Sequence, residues 1–192
     1  GDGVTNDSLA FKKAINYLDS VGGGKILLYG KTYIADNIEL KSNITIQGIY
    51  GKTIIKRHNT LSSEEITDIF YSINKSISNV RIENIVIDGN YQNDMHVKNN
   101  EKAYNGEINI RSSQTDNTQE VKDIVIDSVI IKNGVQGIVV RGYFEGGIIV
   151  KNCSNVNINN CKFINHFGNA IFTWSNKVRI TNNVFENVKK NL

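Results

Sequence analysis

The first apolar positions in the chain fall at helical spacing. Counting from Asp7, residues Ala10, Phe11, Ala14, Ile15 and Leu18 lie on one stripe at i, i+1, i+4, i+5 and i+8. Thr5, Asn6 and Asp7 are N-cap candidates, and Gly22-Gly23-Gly24 releases the chain, so a helix is predicted over residues 6–20. Beyond it the helical period does not return. KILLYG, TYIAD, NIEL, NITIQG and TIIKR are short runs rich in Ile, Tyr and Thr, divided by Gly, Asn, Asp or Lys-Ser, and they read as strands separated by turns.

The strand pattern repeats. Segments of ten residues beginning at Val80, Ile124, Val156 and Val178 superimpose without gaps, and a degenerate fifth copy begins at Ile44. Alternation turns the first and third residues inward: Val80 and Ile82, Ile124 and Ile126, Val156 and Ile158, Val178 and Ile180. The fifth residue is Asn84, Ser128, Asn160 or Asn182, a type suited to a stacked bend because it tolerates the left-handed conformation and its side chain bonds to like groups above and below. Parity then resets and buries Ile85 and Ile87, Val129 and Ile131, Cys161 and Phe163. Two strands joined by the same one-residue bend in successive repeats describe the coil of a parallel β-helix.

A third strand per coil follows a turn. It reads Glu107–Arg111, then Gly137–Arg141, then Ala170–Trp174. Its inward residues are Ile108 and Ile110, Ile138 and Val140, Ile171 and Thr173; its outward ones stack as Asn109, Val139 and Phe172, and beside them Arg111, Arg141 and Trp174. Two inserted loops interrupt the coils, at 89–105 and 112–120, and in repeat proteins such insertions gather on one face, often the binding face. The whole of 1–192 is read as a single β-helix domain, the N-terminal part of a longer solenoid.

Composition agrees. The 192 residues include 28 Asn and 29 Ile but no Pro, and ladders on both sides of every strand leave no room for a missing N–H. A net charge of +3 is too small for an electrostatic nucleic-acid binder, and no run reaches the ~18 apolar residues of a membrane span. Cys153 and Cys161 are expected to be free thiols, with Cys161 in the core.

GDGVTNDSLAFKKAI, GGGKILLYGKTYI and LKSNITIQG together resemble the N-terminal signature of the pectate-lyase-like, right-handed parallel β-helix superfamily. This includes polygalacturonases, pectate lyases, alginate epimerases and bacteriophage tailspikes. The resemblance implies an all-β, three-sheet solenoid capped by the short α-helix, with a polysaccharide groove on the strand that ends in Arg111, Arg141 and Trp174. The Asn-Thr-Asp strand, paired Asp-Asp and Arg-Ile-Lys of polygalacturonases do not occur in that form. Nor do the outward positions of the groove strand carry the clustered carboxylates of calcium pectate lyases. No cofactor is therefore expected, and calcium is left open only by the resemblance.

Stacked Arg111 and Arg141, ~4.8 Å apart, repel unless an anion or carboxylate lies between them, so an acidic sugar chain suits them. Trp174, with Phe172, offers an aromatic face. Against this, the arginines can be ordinary surface charge and Trp174 a subunit contact. Asp94, Glu107 and Glu145 are the acids nearest the groove and are the catalytic candidates, each weighed against a solvated charge; His96 joins the binding candidates, and His96 and His166 are candidate bases. Asp88-Gly89-Asn90 reads as a turn, Glu83 and Asp127 as a solvated face. Three functions fit: a polysaccharide-cleaving lyase or hydrolase of a phage tailspike, a non-catalytic receptor-binding or structural fibre segment, and a secreted carbohydrate-active enzyme. The favoured setting is the virion, as a homotrimer bound to a surface glycan, with an extracellular enzyme as the alternative; neither nucleic acid nor membrane insertion is expected.

Overall fold

The computed structural model describes residues 1–59, 68–90, 106–112, 118–134, 136–141, 144–145, 148–149, 153–166 and 168–188, with side chains at most of them. Among the described residues one helix, α1 (Ser8–Ser20), precedes nineteen strands. Phe11 and Ile15 are its buried residues, while Ala10 of the predicted stripe stays exposed. Asp7 is the N-cap residue without a capping side-chain bond; instead the Asn6 carboxamide accepts from the Ser8 N–H at 2.9 Å. The N–H groups of Gly22 and Gly23 close on Asp19 and Leu18, and positive φ at both glycines turns the chain into the first strand.

Seventeen of these strands form three parallel sheets. Sheet B contains β1 (Gly24–Leu27), β4 (Ile44–Gln47), β7 (Ile77–Glu83), β10 (Val121–Asp127), β15 (Cys153–Asn159) and β18 (Val178–Thr181). Sheet A contains β2 (Thr32–Ile34), β5 (Ile54–Lys56), β8 (Val86–Asp88), β11 (Ile130–Lys132), β16 (Lys162–Ile164) and β19 (Val184–Glu186). Sheet C contains β3 (Ile38–Glu39), β6 (Phe70–Ile73), β9 (Gly106–Arg111), β12 (Gln136–Arg141) and β17 (Ile171–Trp174). The chain visits B, A and C in turn and climbs one strand per circuit. This is a right-handed parallel β-helix, as the repeats predict.

The core is the stacked interior of these circuits. Ile44 and Ile46, Val80 and Ile82, Ile124 and Ile126, Val156 and Ile158 are all buried from sheet B. Ile85, Ile87, Val129, Ile131, Cys161 and Phe163 fill the sheet A side, and Ile38, Phe70, Ile108 and Ile138 the sheet C side. Both cysteines are free and buried. In the last circuit the apolar residues Ile180, Val184 and Phe185 are exposed, with Phe185 stacked on Phe163 at 5.2 Å. Among the described residues no helix is long and apolar enough to cross a membrane.

Left-handed residues mark the corners. The B-to-A bend holds Asn84, Ser128, Asn160 and Asn182 at φ between 53° and 58°. Asn160 donates to Asp127 at 2.9 Å and Asn182 to Asn160 at 3.3 Å. Two further ladders went unread in the sequence. One runs through Asn43, Asn79, Asp123 and Asn155 at the entry to sheet B, the other through Asn133, Asn165 and Asn187 after sheet A, and both have positive φ throughout. The second carries its own amide bonds, Asn165 to Asn133 at 3.4 Å and Asn187 to Asn165 at 3.1 Å.

Candidate functional site

The register of sheet C follows from its inward residues. With Ile108, Ile138 and Ile171 stacked inside, Arg111, Arg141 and Trp174 are aligned partners on β9, β12 and β17, and so are Asn109, Val139 and Phe172. Carried towards the helix end, the second row continues through Tyr71 on β6 and Glu39 on β3. The side chains of Asp68, Asn109 and Arg111 concentrate on this face, and a buried ion pair underlies them.

That pair corrects the expectation for Glu107. Outward by alternation, Glu107 is nevertheless fully buried, and its Oε1 lies 3.3 Å from Nη2 of Arg57, itself 2% exposed. Gly89 and Gly134 make the space. A Cβ on Gly134 would lie 2.3 Å from Glu107 Oε2 and one on Gly89 2.7 Å from Oε1, so only bare backbone fits against the carboxylate. Arg57 enters from the turn after β5, where Asn90 donates to its carbonyl at 3.1 Å and to Asn59 at 2.9 Å. The Asp88-Gly89-Asn90 turn is built as expected: the Asn90 N–H bonds to Asp88 Oδ1 at 3.0 Å, and Asp88 meets Lys132 at 3.4 Å. Glu107 is thus a buried carboxylate paired with Arg57, not an open acid.

The acid that the sequence reading missed is Asp68. It lies two residues before the inward Phe70, the place that Asp36 takes before Ile38 in the circuit below. It is 6% exposed, and its Oδ2 accepts from Asn109 Nδ2 at 3.0 Å. Burial pushes its pKa up to about 6, against the opposing pull of the Asn109 amide, Arg57, the Gly106 N–H and Arg111. Desolvation outweighs two nearby cations. Asp68 Oδ1, Asn109 Oδ1 and Arg111 Nε are buried without a hydrogen-bond partner among the described residues. A buried carboxyl that titrates near neutrality, beside an arginine and an amide with unused bonding capacity, can exchange a proton with a substrate and balance charge on it.

Tyr71 links this cluster to the helix end. Burial and the carboxylates of Glu39 and Asp68 push its phenol up, with Lys75 opposing. Lys75 binds Glu39, and Lys41 lies 3.5 Å from the same carboxylate. One turn away His58 is paired with Asp36, which is 5% exposed.

The other expected residues divide. Phe172 is half-buried in its predicted row. Arg141 and Trp174 hold their register positions as strand residues. Glu145 stands on β13 (Phe144–Glu145), in an antiparallel ribbon with β14 (Ile148–Ile149) that the repeats did not predict. Asp94 and His96 lie outside the described residues, as do most of the loop segments 89–105 and 112–120. His166 is 1% exposed, tilted against Phe163 at 5.9 Å, with one ring nitrogen 3.2 Å from the Ile131 carbonyl; burial lowers its pKa, so it is a core residue rather than a base. Glu83 and Asp127 are register partners on sheet B, away from this site, as expected. Among the described residues no three His, Cys, Asp or Glu side chains converge as a metal site would require.

No protein-family profile matches the chain, and no curated protein sequence does. Solved structures do. A Parabacteroides merdae protein provisionally described as a glycosyl hydrolase aligns with a TM-score of 0.56 at 19% identity, over 96% of this chain and 92% of its own. The A-module of a mannuronan C-5 epimerase from Azotobacter vinelandii aligns with a TM-score of 0.62 at 20% identity, over 97% of this chain and 47% of its own. An iota-carrageenase bound to iota-carrageenan fragments aligns with a TM-score of 0.50 at 16% identity, over 86% of this chain and 47% of its own. The chain thus spans nearly all of the first and about half of the other two. These likenesses establish the pectate-lyase-like β-helix fold.

Proposed function

We propose that the chain binds an anionic polysaccharide along the outward face of sheet C and cleaves it, with Asp68 as the proton-transfer group and Arg111 as the charge-neutralising one. One observation carries the reading: the carboxyl held near pKa 6 and Asn109 lie beside Arg111, whose register partners along sheet C are Arg141 and, one circuit on, Trp174. Arginines bind sugar carboxylates or sulfates bidentately, and an aromatic covers the apolar face of a pyranose. The structural neighbours support the reading, since their names describe a glycosyl hydrolase, an epimerase of mannuronan and a carrageenase.

Both reaction classes use such a carboxyl. In hydrolysis, protonated Asp68 gives its proton to the departing glycosidic oxygen while water adds to the sugar carbon and loses its own proton to a second carboxylate. In elimination, ionised Asp68 takes the proton beside the uronate carboxylate, a carbon–carbon double bond forms as the bond to the leaving oxygen breaks, water protonates that oxygen, and Arg111 holds the charge that develops. A second carboxyl, where the reaction needs one, is sought in Asp94 or Glu145.

The test is an assay for new reducing ends and for the ultraviolet absorbance of unsaturated uronates against a panel of anionic bacterial and algal polysaccharides. Asp68→Asn is expected to lower kcat by ~10²–10⁴ with little change in KM, and Arg111→Ala to lower kcat and raise KM together. Full activity in Asp68→Asn removes Asp68 from the chemistry. Binding without cleavage by the wild type makes the chain a receptor-binding module. The tailspike setting is proposed on the resemblance of the opening motif, and sedimentation of the full-length protein tests it: a trimer is expected, and a monomer favours the secreted enzyme.

A further inference from the structure

At the helix end of sheet C a cleft of about 360 Å³ opens between α1 and the first strands. Its wall is fixed. The Asp36 N–H donates to Ser8 Oγ at 3.1 Å, and the Asp7 N–H donates to the Ile34 carbonyl at 2.7 Å, which ties the start of the helix to the coil. Carboxamides line it from three directions: Asn6 before the helix, Asn16 on it, and Asn37 at the left-handed corner before β3. Tyr71 and Leu9, the latter 62% exposed, add an aromatic and an aliphatic surface.

The two carboxylates in the lining are already committed, Asp36 to the His58 ring and Glu39 to Lys75 and Lys41. The cleft therefore offers amide donors and acceptors and apolar surface, its two carboxylates each held by a neighbouring side chain, with the Lys12 ammonium as a further donor in the lining. This chemistry differs from the arginine row two circuits away on the same face.

We propose that this cleft seats a sugar unit bearing an N-acetyl group, belonging to the same glycan whose acidic units lie along the row of Arg111 and Arg141. An acetamido substituent presents the donor and acceptor that asparagine side chains match, and its methyl group gives Leu9 an apolar partner. Tyr71 supplies a surface for the pyranose ring. Successive circuits rise ~4.8 Å, close to the length of one pyranose, so a glycan with an N-acetylated unit at the cleft and acidic units two and three circuits further on fits the sequence of surfaces. The proposal rests on the glycan reading of sheet C.

Saturation-transfer NMR with N-acetylglucosamine and, separately, glucuronic acid on the full chain tests it. N-acetylglucosamine is expected to receive saturation, most strongly at its methyl group. Leu9→Glu or Asn16→Trp, both on the outer surface of α1, is expected to weaken binding about tenfold, whereas Arg111→Ala leaves it unchanged. No transfer to N-acetylglucosamine, or equal transfer in wild type, Leu9→Glu and Asn16→Trp, overturns the cleft assignment. If polysaccharide binding then still depends on Arg111, the sheet C reading survives alone. N-acetylglucosamine bound at the cleft, with no polysaccharide bound by the wild type, keeps the subsite and discards the arginine row.

Discussion

Glu107 and Arg57 share a space that suits neither alone. Removing one partner of a buried pair leaves the other charge in a dry site, so Glu107→Ala is expected to cost about 3–5 kcal/mol in urea unfolding. Gly134→Ala presses a methyl group onto the same carboxylate and should be destabilising too, with the two effects far from additive in the double variant. Asp68 behaves in the opposite way. Its folded pKa of about 6 stands above the ordinary 3.8, so the folded chain holds the proton more tightly. Stability from this group is present below 3.8 and is lost as pH rises through 6. Asp68→Asn should therefore stabilise the fold at neutral pH by up to roughly 3 kcal/mol in urea unfolding, and the gain should vanish near pH 4. Alternation along β9 was enough to place Glu107, Asn109 and Arg111 on the outer face. It could not show that Glu107 would be covered, because cover comes from Arg57 and two glycines far away in the chain. Asp68 left a signal in the shared pattern Asp36-Asn37-Ile38 and Asp68-Ile69-Phe70, but a lone aspartate in a turn has many ordinary explanations.

The corners decide the elements. Each left-handed Asn avoids a cost of roughly 1–2 kcal/mol that an ordinary L-residue meets there, and its amide bonds along the stack. Asn160→Ala loses both and is expected to destabilise the protein by about 2 kcal/mol in chemical denaturation, with Asn160→Gly milder. The B-to-A ladder was legible because its residue falls mid-repeat, between two apolar pairs of opposite parity. The sheet B entry ladder was not: Asn79, Asp123 and Asn155 precede the first anchor of each copy, and the alignment began one residue too late. The ribbon of β13 and β14 belongs to no repeat, so periodicity had nothing to say about it.

At the scale of the molecule, acid draws on a different group. Burial depresses the folded pKa of His166 below 6.5, so its contribution to stability is present above 6.5 and is lost as pH falls towards the folded value. Thermal unfolding of the wild type should accordingly show a fall in Tm on acidification that is smaller in His166→Phe, partly offset by Asp68. Burial also pushes the Cys161 thiol up to about 11 and raises that of Cys153, so a thiol reagent should label neither until the chain unfolds.

The spacing of the elements has a wider consequence. Two residues separate sheets B and A in each of the last four circuits, between Glu83 and Val86, Asp127 and Ile130, Asn159 and Lys162, and Thr181 and Val184. The passage into sheet C obeys no such rule. It is short from Ile34 to Ile38 and from Lys132 to Gln136, and long from Lys56 to Phe70 and from Asp88 to Gly106. The fixed corners act as a ruler for the scaffold, while variable length enters beside the face that carries Asp68 and Arg111. Those passages can therefore change in length without disturbing the ladder that the corners set, so insertions there should be tolerated by the fold where insertions at the B-to-A bend are not.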